Sequence, residues 1–295
     1  MRLKSTSNVP ILKLTSLLRN LDISFVKYDL SDELVMQMLA SLKTLRSIKI
    51  REDGFLTQPL AQLVQHITAP LVTIYIYGSS RLSQLPLNAL PTFAKFAATL
   101  EELEIYHDGV YWESTNAPRT IYPKLRRLVC RTSCLDLLRL DEPGATFPCI
   151  QELRVLYDIP RHSADPDLLI KSLRHARQCN KSAHKKKPWS SLQSVSGNAL
   201  VLWAMGIDHH VQFLGVDLGD HDLWRCLGTL LQDMHPSSLK ISCWMKTIAT
   251  DKSSKVLEAT IGLDELILNV HTGVQHSAKS TLQAIEASVS DIFQY

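Results

Sequence analysis

The sequence predicts an α/β fold in which parallel strands and helices alternate as a stacked solenoid. Three observations predict it. An apolar triplet at positions i, i+3 and i+5 recurs ten times between Leu18 and Leu268. Successive starts are 27, 26, 29, 25, 25, 42, 19, 25 and 27 residues apart, so most copies share one period. Stretches with apolar residues three and four apart fill several of the intervals, as amphipathic helices do.

The triplet explains itself as a strand. Side chains alternate along an extended chain, so i+3 and i+5 lie on one face and bury together. The copies are Leu18/Leu21/Ile23, Leu45/Ile48/Ile50, Leu71/Ile74/Ile76, Leu100/Leu103/Ile105 and Leu125/Leu128/Cys130. They continue at Ile150/Leu153/Val155, Val211/Leu214/Val216 and Leu263/Leu266/Leu268. Two weaker copies begin at Leu192, with Gly197 in third place, and at Pro236, followed by Leu239 and Ile241.

Helices are expected in order at Asp32 (DELVMQMLASL), Leu56 (LTQPLAQLVQHI), Pro91 (PTFAKFAATL), Asp165 (DPDLLIKSLRHARQ) and Asp220 (DHDLWRCLGTLLQDM). Asp32, Asp165 and Asp220 stand where N-caps belong, because a carboxylate there accepts from otherwise unpaired N–H groups. Each strand-plus-helix unit cannot bury its apolar face alone and stacks on a copy of itself. The period matches or borders the roughly 20–29 residues of leucine-rich repeats. The expected architecture is therefore a leucine-rich-repeat horseshoe, with a parallel concave sheet and outer helices. It forms a single domain over residues 1–295 of about ten irregular repeats. A basic loop insertion is expected at 178–191, and a C-terminal helical cap at 275–295.

Two phrases are nearly the same sentence: YPKLRRLVC from Tyr122 and FPCIQELRV from Phe147, with their prolines 25 residues apart. With LEELEIYHDG, they resemble the divergent repeats of fungal F-box proteins, over the region from about Leu18 to Val270. The resemblance implies a substrate-recognition region of a ubiquitin-ligase receptor, with no catalytic residues of its own. No Leu-Pro-x-Glu-Ile helix start appears near the N-terminus, and residues 1–17 are too few for that domain. The resemblance thus does not extend to an F-box, nor to docking on the Skp-type adaptor of a cullin ligase. At the turn position eight residues after the first leucine, Asp53, Ser79, Asp108, Ser133 and Asp158 replace the usual Asn or Cys. Such polar side chains can still bond turn backbone.

Binding would lie on the other strand face, at i+2, i+4 and i+6. There the middle repeats place Tyr75, Tyr77, Glu102, Glu104, Tyr106, Arg127, Val129, Arg131, Glu152 and Arg154. Tyrosine and arginine dominate interface energetics, and an unidentified protein is the expected partner. Tyrosine is also simply a good strand former.

Other chemistry finds little support. The net charge of +3 is too mild to imply nucleic acid. Lys185, Lys186 and Lys187 could make a phosphate-contacting or nuclear-import patch, but a solvated loop is the simpler reading. The stretch Asp208–Asp222 concentrates metal-capable residues, and a compact metal-dependent α/β enzyme would draw on Asp208, His209, Asp217 and His221, with Asp220 a helix cap. Adjacent His209 and His210 would point to opposite faces of a strand, however, and a metal needs convergent ligands. No phosphate-loop, nucleophile-elbow, zinc-helix or dinucleotide motif occurs, so no cofactor and no metal are expected. The six cysteines form no CxxC pair, and Cys130 and Cys134 read as core and helix-start residues. Reduced thiols, a Lys13-interrupted N-terminus and the lack of a long apolar run point to cytosol or nucleus, with no membrane partner.

Overall fold

The computed structural model describes residues 17–25, 33–52, 57–78, 87–106, 110–113, 120–132, 138–139, 143–157, 166–219, 223–244, 256 and 262–271. Asp32, Asp53, Ser79, Asp108, Ser133, Cys134, Asp158, Asp165, Asp220, His221 and the expected cap at 275–295 lie outside them. The fold is α/β, and its chain divides into two compact units: Met1–Gln151 with Trp189–Ser191, and Glu152–Pro188 with Leu192–Tyr295.

In the first unit, β1 (Asn20–Phe25), β2 (Ser47–Glu52), β3 (Thr73–Gly78), β5 (Glu102–Tyr106) and β7 (Arg127–Thr132) pair side by side, all parallel. Each is one of the expected triplets. The register is rung on rung: Leu21, Ile48, Ile74, Leu103 and Leu128 align, as do Ile23, Ile50, Ile76, Ile105 and Cys130. From β2 onward these residues are buried. Helices α1 (Glu33–Ser41), α2 (Thr57–His66) and α3 (Ala89–Phe93) follow β1, β2 and β3 in sequence. The expected helix at Pro91 starts two residues earlier and tightens into a 3₁₀ turn over Ala94–Phe96. Asn88 sets that start, its side-chain oxygen accepting from the Leu90 N–H at 3.2 Å.

The entry to each strand is a repeated backbone device. The Arg19 carbonyl accepts from the N–H groups of both Arg46 and Ser47. Arg46 does the same for Val72 and Thr73, Val72 for Glu101 and Glu102, and Glu101 for Arg126 and Arg127. Each acceptor directly follows the first apolar residue of its triplet. Threonines reinforce the column, Thr44 Oγ1 donating to the Leu18 carbonyl at 3.0 Å and Thr99 Oγ1 to that of Leu71 at 2.7 Å.

The aromatic-proline phrases now acquire a physical meaning. Tyr122 and Phe147, which open them, are fully buried with ring centroids 5.6 Å apart. The Tyr122 hydroxyl donates to the Leu90 carbonyl at 2.6 Å, satisfying its one polar atom. Three short parallel strands, β4 (Leu87–Asn88), β6 (Val110–Glu113) and β8 (Leu138–Arg139), form a second ladder. They are too short to carry a readable alternation. The short helix α4 (Pro143–Thr146) completes the unit.

The second unit repeats the plan with β9 (Glu152–Tyr157), β10 (Ser194–Asn198), β11 (Phe213–Gly219), β12 (Ser238–Trp244) and β13 (Glu265–His271), again all parallel. Leu153, Val195, Leu214, Leu239 and Leu266 align on one rung, and Val155, Gly197, Val216, Ile241 and Leu268 on the next. Gly197 breaks the apolar pattern for a steric reason. A Cβ there would fall 2.1 Å from the Val155 carbonyl oxygen.

Helices α5 (Pro166–Lys186), α6 (Ala199–Met205) and α7 (Trp224–Met234) belong to this unit. Two expectations are corrected. Of the loop expected at 178–191, residues 178–186 are helical instead, because α5 continues to Lys186. The inward side chains explain the continuation. Arg177 donates to the Trp203 carbonyl and to Asp233 on α7, and lies 4.9 Å over the Trp203 ring. Asn180 donates to the Ala204 carbonyl at 2.9 Å, and Lys181 pairs with Asp233 at 2.7 Å. Lys185 and Lys186 then occupy the last turn, where cations complement the helix dipole. The second correction is the start of α7. It falls at Trp224 with Leu223 in the cap position, three residues after the expected Asp220. Helix α6 had no amphipathic signal because every one of its residues is buried. Asn198 caps it by accepting from Leu200 N at 2.9 Å, and Gly206 ends it at φ 62°, a left-handed turn that suits glycine.

Candidate interaction face

On the sheet face of the first unit, β3, β5 and β7 carry the expected aromatic and charged residues side by side. Glu102 pairs in register with Thr73 and Arg127, and Glu104 with Tyr75 and Val129. The side chains do not stand independently. The Tyr75 hydroxyl donates to Glu102 at 2.8 Å, and the Tyr77 hydroxyl donates to Glu104 at 3.0 Å. Arg127 leans diagonally to form an ion pair with Glu104. Tyr77 stacks on Tyr106, centroids 4.8 Å apart and planes within 8°. Lys49 of β2 places its ammonium 5.0 Å from the centre of the Tyr77 ring. Further along β1 and β2, Asp22 pairs with Arg51 at 3.0 Å.

Two residues of the expected face are more buried than an open surface would have them. Glu104 is only 5% exposed, since Tyr77 and Arg127 both bond to its carboxylate. Val129, expected to face outward, is fully buried. Tyr75, Tyr77, Glu102, Tyr106, Arg127 and Arg131 are half-buried, with Arg131 one position past the last paired rung of β7. Arg154 is exposed on β9 and belongs to the second unit. Burial, the tyrosine-to-glutamate bonds and the nearby carboxylates push the Tyr75 and Tyr77 hydroxyls up to about 12. Both rings therefore stay neutral donors at physiological pH.

The acid- and histidine-rich stretch is less organised than this face. His209 and His210 lie in the turn before β11, not on a strand, His209 half-buried and His210 exposed. The His209 ring centre is 6.5 Å from that of His184 on α5, and both ring nitrogens of His209 are shielded from solvent with no hydrogen-bond partner among the described residues. Asp208 pairs instead with Lys181 at 3.7 Å, and Asp217 accepts from Gly219 N at 2.9 Å. Among the described residues, no group of three or more His, Cys, Asp or Glu could hold a metal ion. Lys185, Lys186 and Lys187 are exposed.

Cys130, Cys149, Cys179, Cys226 and Cys243 are free thiols. Burial pushes that of Cys130, inside β7, up to about 12, as suits a core residue. Among the described residues, no helix is long and apolar enough to cross a membrane.

No protein-family model matches the chain, and no characterised protein matches it significantly.

Proposed function

We propose that the chain is a non-enzymatic protein-interaction module built from leucine-rich repeats, closest in kind to the substrate-recognition region of an F-box ubiquitin-ligase receptor. The observation that carries this reading is the joined set Tyr75, Tyr77, Glu102, Glu104, Tyr106 and Arg127. Aromatic rings held by their own hydroxyls lose little side-chain freedom when a partner arrives, which favours binding. Tyrosine and arginine together are the side chains from which interface hot spots are most often made. The partner is a protein, met in the cytosol or nucleus.

The test is affinity capture with the wild-type chain against the double variant Tyr77→Ala/Tyr106→Ala, with quantitative mass spectrometry of what each retains. At least one protein should be held by the wild type and depleted tenfold by the variant. Identical retained sets would overturn the reading.

A further inference from the structure

The face contains the same cross-strand unit twice, and the two copies differ in one respect. In each, a tyrosine on β3 donates its hydroxyl to a glutamate on β5: Tyr77 to Glu104, and Tyr75 to Glu102. The Tyr77–Glu104 copy is supplied with cations from both sides. Lys49 lies over the ring from β2, and Arg127 pairs with the carboxylate from β7. Both cations reach it diagonally. Lys49 is in register with Tyr75, and Arg127 with Glu102, yet each turns toward the copy two residues further along. Among the described residues, no cation stands within ion-pair distance of Glu102, whose hydrogen bond is the one from Tyr75. Glu102 is half-buried, so its charge is only partly solvated.

We infer that the Tyr75–Glu102 pair seats the guanidinium or ammonium of a partner protein's arginine or lysine, presented from a segment lying along the face. This rests on the interaction reading above and names the chemistry of its partner. In the equivalent pair one step away two cations divide these roles, Lys49 over the ring and Arg127 on the carboxylate. A carboxylate held by a phenol offers its remaining lone pairs to a bidentate donor, and the phenol ring offers its negative face to the same cation. An acidic segment would instead meet Glu102 with like charge.

Selection of random dodecamer peptides displayed on phage against the full chain tests this. The most enriched peptide, a citrulline-for-arginine (or norleucine-for-lysine) version of it, and fluorescein labels for anisotropy complete the set. The enriched sequences should share a basic residue. Neutralising that residue, or making Glu102→Gln in the protein, should each weaken binding at least fivefold, and the two together little more than either alone. Glu102→Gln keeps an acceptor for Tyr75, and an unchanged thermal midpoint shows that the variant is folded.

Enriched peptides without a basic residue that Tyr77→Ala still weakens would overturn this inference and leave the interaction reading standing. Basic peptides indifferent to Glu102→Gln would also overturn it. Absence of any enrichment would overturn both.

Discussion

Tyr77 lies flat on Tyr106, two rings from neighbouring strands stacked within 8° of parallel. The stack couples to the charges beneath it, because the Tyr77 hydroxyl holds Glu104 while Arg127 holds it from the other side.

Tyr77→Phe keeps the stack and removes only the bond to the carboxylate. It should lower stability by about 1.5–3 kcal/mol, as expected for a hydrogen bond to a charged acceptor. Combined with Glu104→Ala, which removes the acceptor, the loss should be smaller than the sum of the single losses, since both remove the same contact. Denaturant titration of the four proteins measures this, and strict additivity would contradict the coupling.

The same bond has an alkaline signature. The Tyr77 hydroxyl is raised from 10 to about 12 in the folded chain, so its contribution is fully present below pH 10. That contribution is lost as pH rises through 12. Ultraviolet titration should show a phenolate step late in the series, and Tyr77→Phe should diminish it.

Ile76 is fully buried on the inward rung, whereas the Arg51–Asp22 pair is half-exposed. Ile76→Ala should destabilise by about 2–5 kcal/mol through lost burial and a residual cavity. Arg51→Ala should change stability by no more than about 0.5–1 kcal/mol, because solvent screens the pair. Equal losses in thermal or chemical unfolding would mean that the inward and outward faces are exchanged.

Gly197→Ala should destabilise by about 1–3 kcal/mol even though alanine suits a buried strand position, because the Val155 carbonyl occupies the space. Gly219→Ala provides the contrast. Among the described residues nothing lies within 4 Å of its added Cβ, so the loss expected there comes from its φ of 59°. Hydrogen exchange of the β9 and β10 amides should accelerate only in the Gly197 variant.

Acid should weaken the second unit at His184. Burial, with His209 beside it, brings this imidazole down from 6.5 to about 4, against the opposing pull of Asp208 and a bond to Met205 backbone. The neutral ring is favoured in the folded state. The corresponding stability, up to about 3 kcal/mol, is complete above pH 6.5 and lost as pH falls through 4. His184→Asn should flatten the stability profile between those values, and an unchanged profile would reject His184 as its source.

The strands were readable because one local rule, an apolar residue at every second position, is repeated at each rung from Ile48 to Leu239. The helix boundaries were less so. Nothing near Lys181 announces that α5 continues, because its partner Asp233 is 52 residues away. Likewise α6, apolar on every side, lacks the contrast between faces that marks a helix at the surface. The alternating tyrosines and glutamates of the face were visible in the sequence. That Lys49 and Arg127 both turn toward Tyr77–Glu104 was not, since rotamer choice on a crowded sheet depends on all the neighbours at once.

The double-accepting carbonyls at the strand entries carry a final consequence. Arg19, Arg46, Val72 and Glu101 each present the same acceptor to the next copy, and β1, β2, β3, β5 and β7 meet without stagger. A junction made of main-chain atoms is indifferent to which copy stands on either side. Gene duplication or loss of one whole period therefore leaves complementary ends, whereas gain or loss of a single residue inside a strand inverts its two faces. Such a chain can lengthen or shorten over generations in whole courses, like masonry.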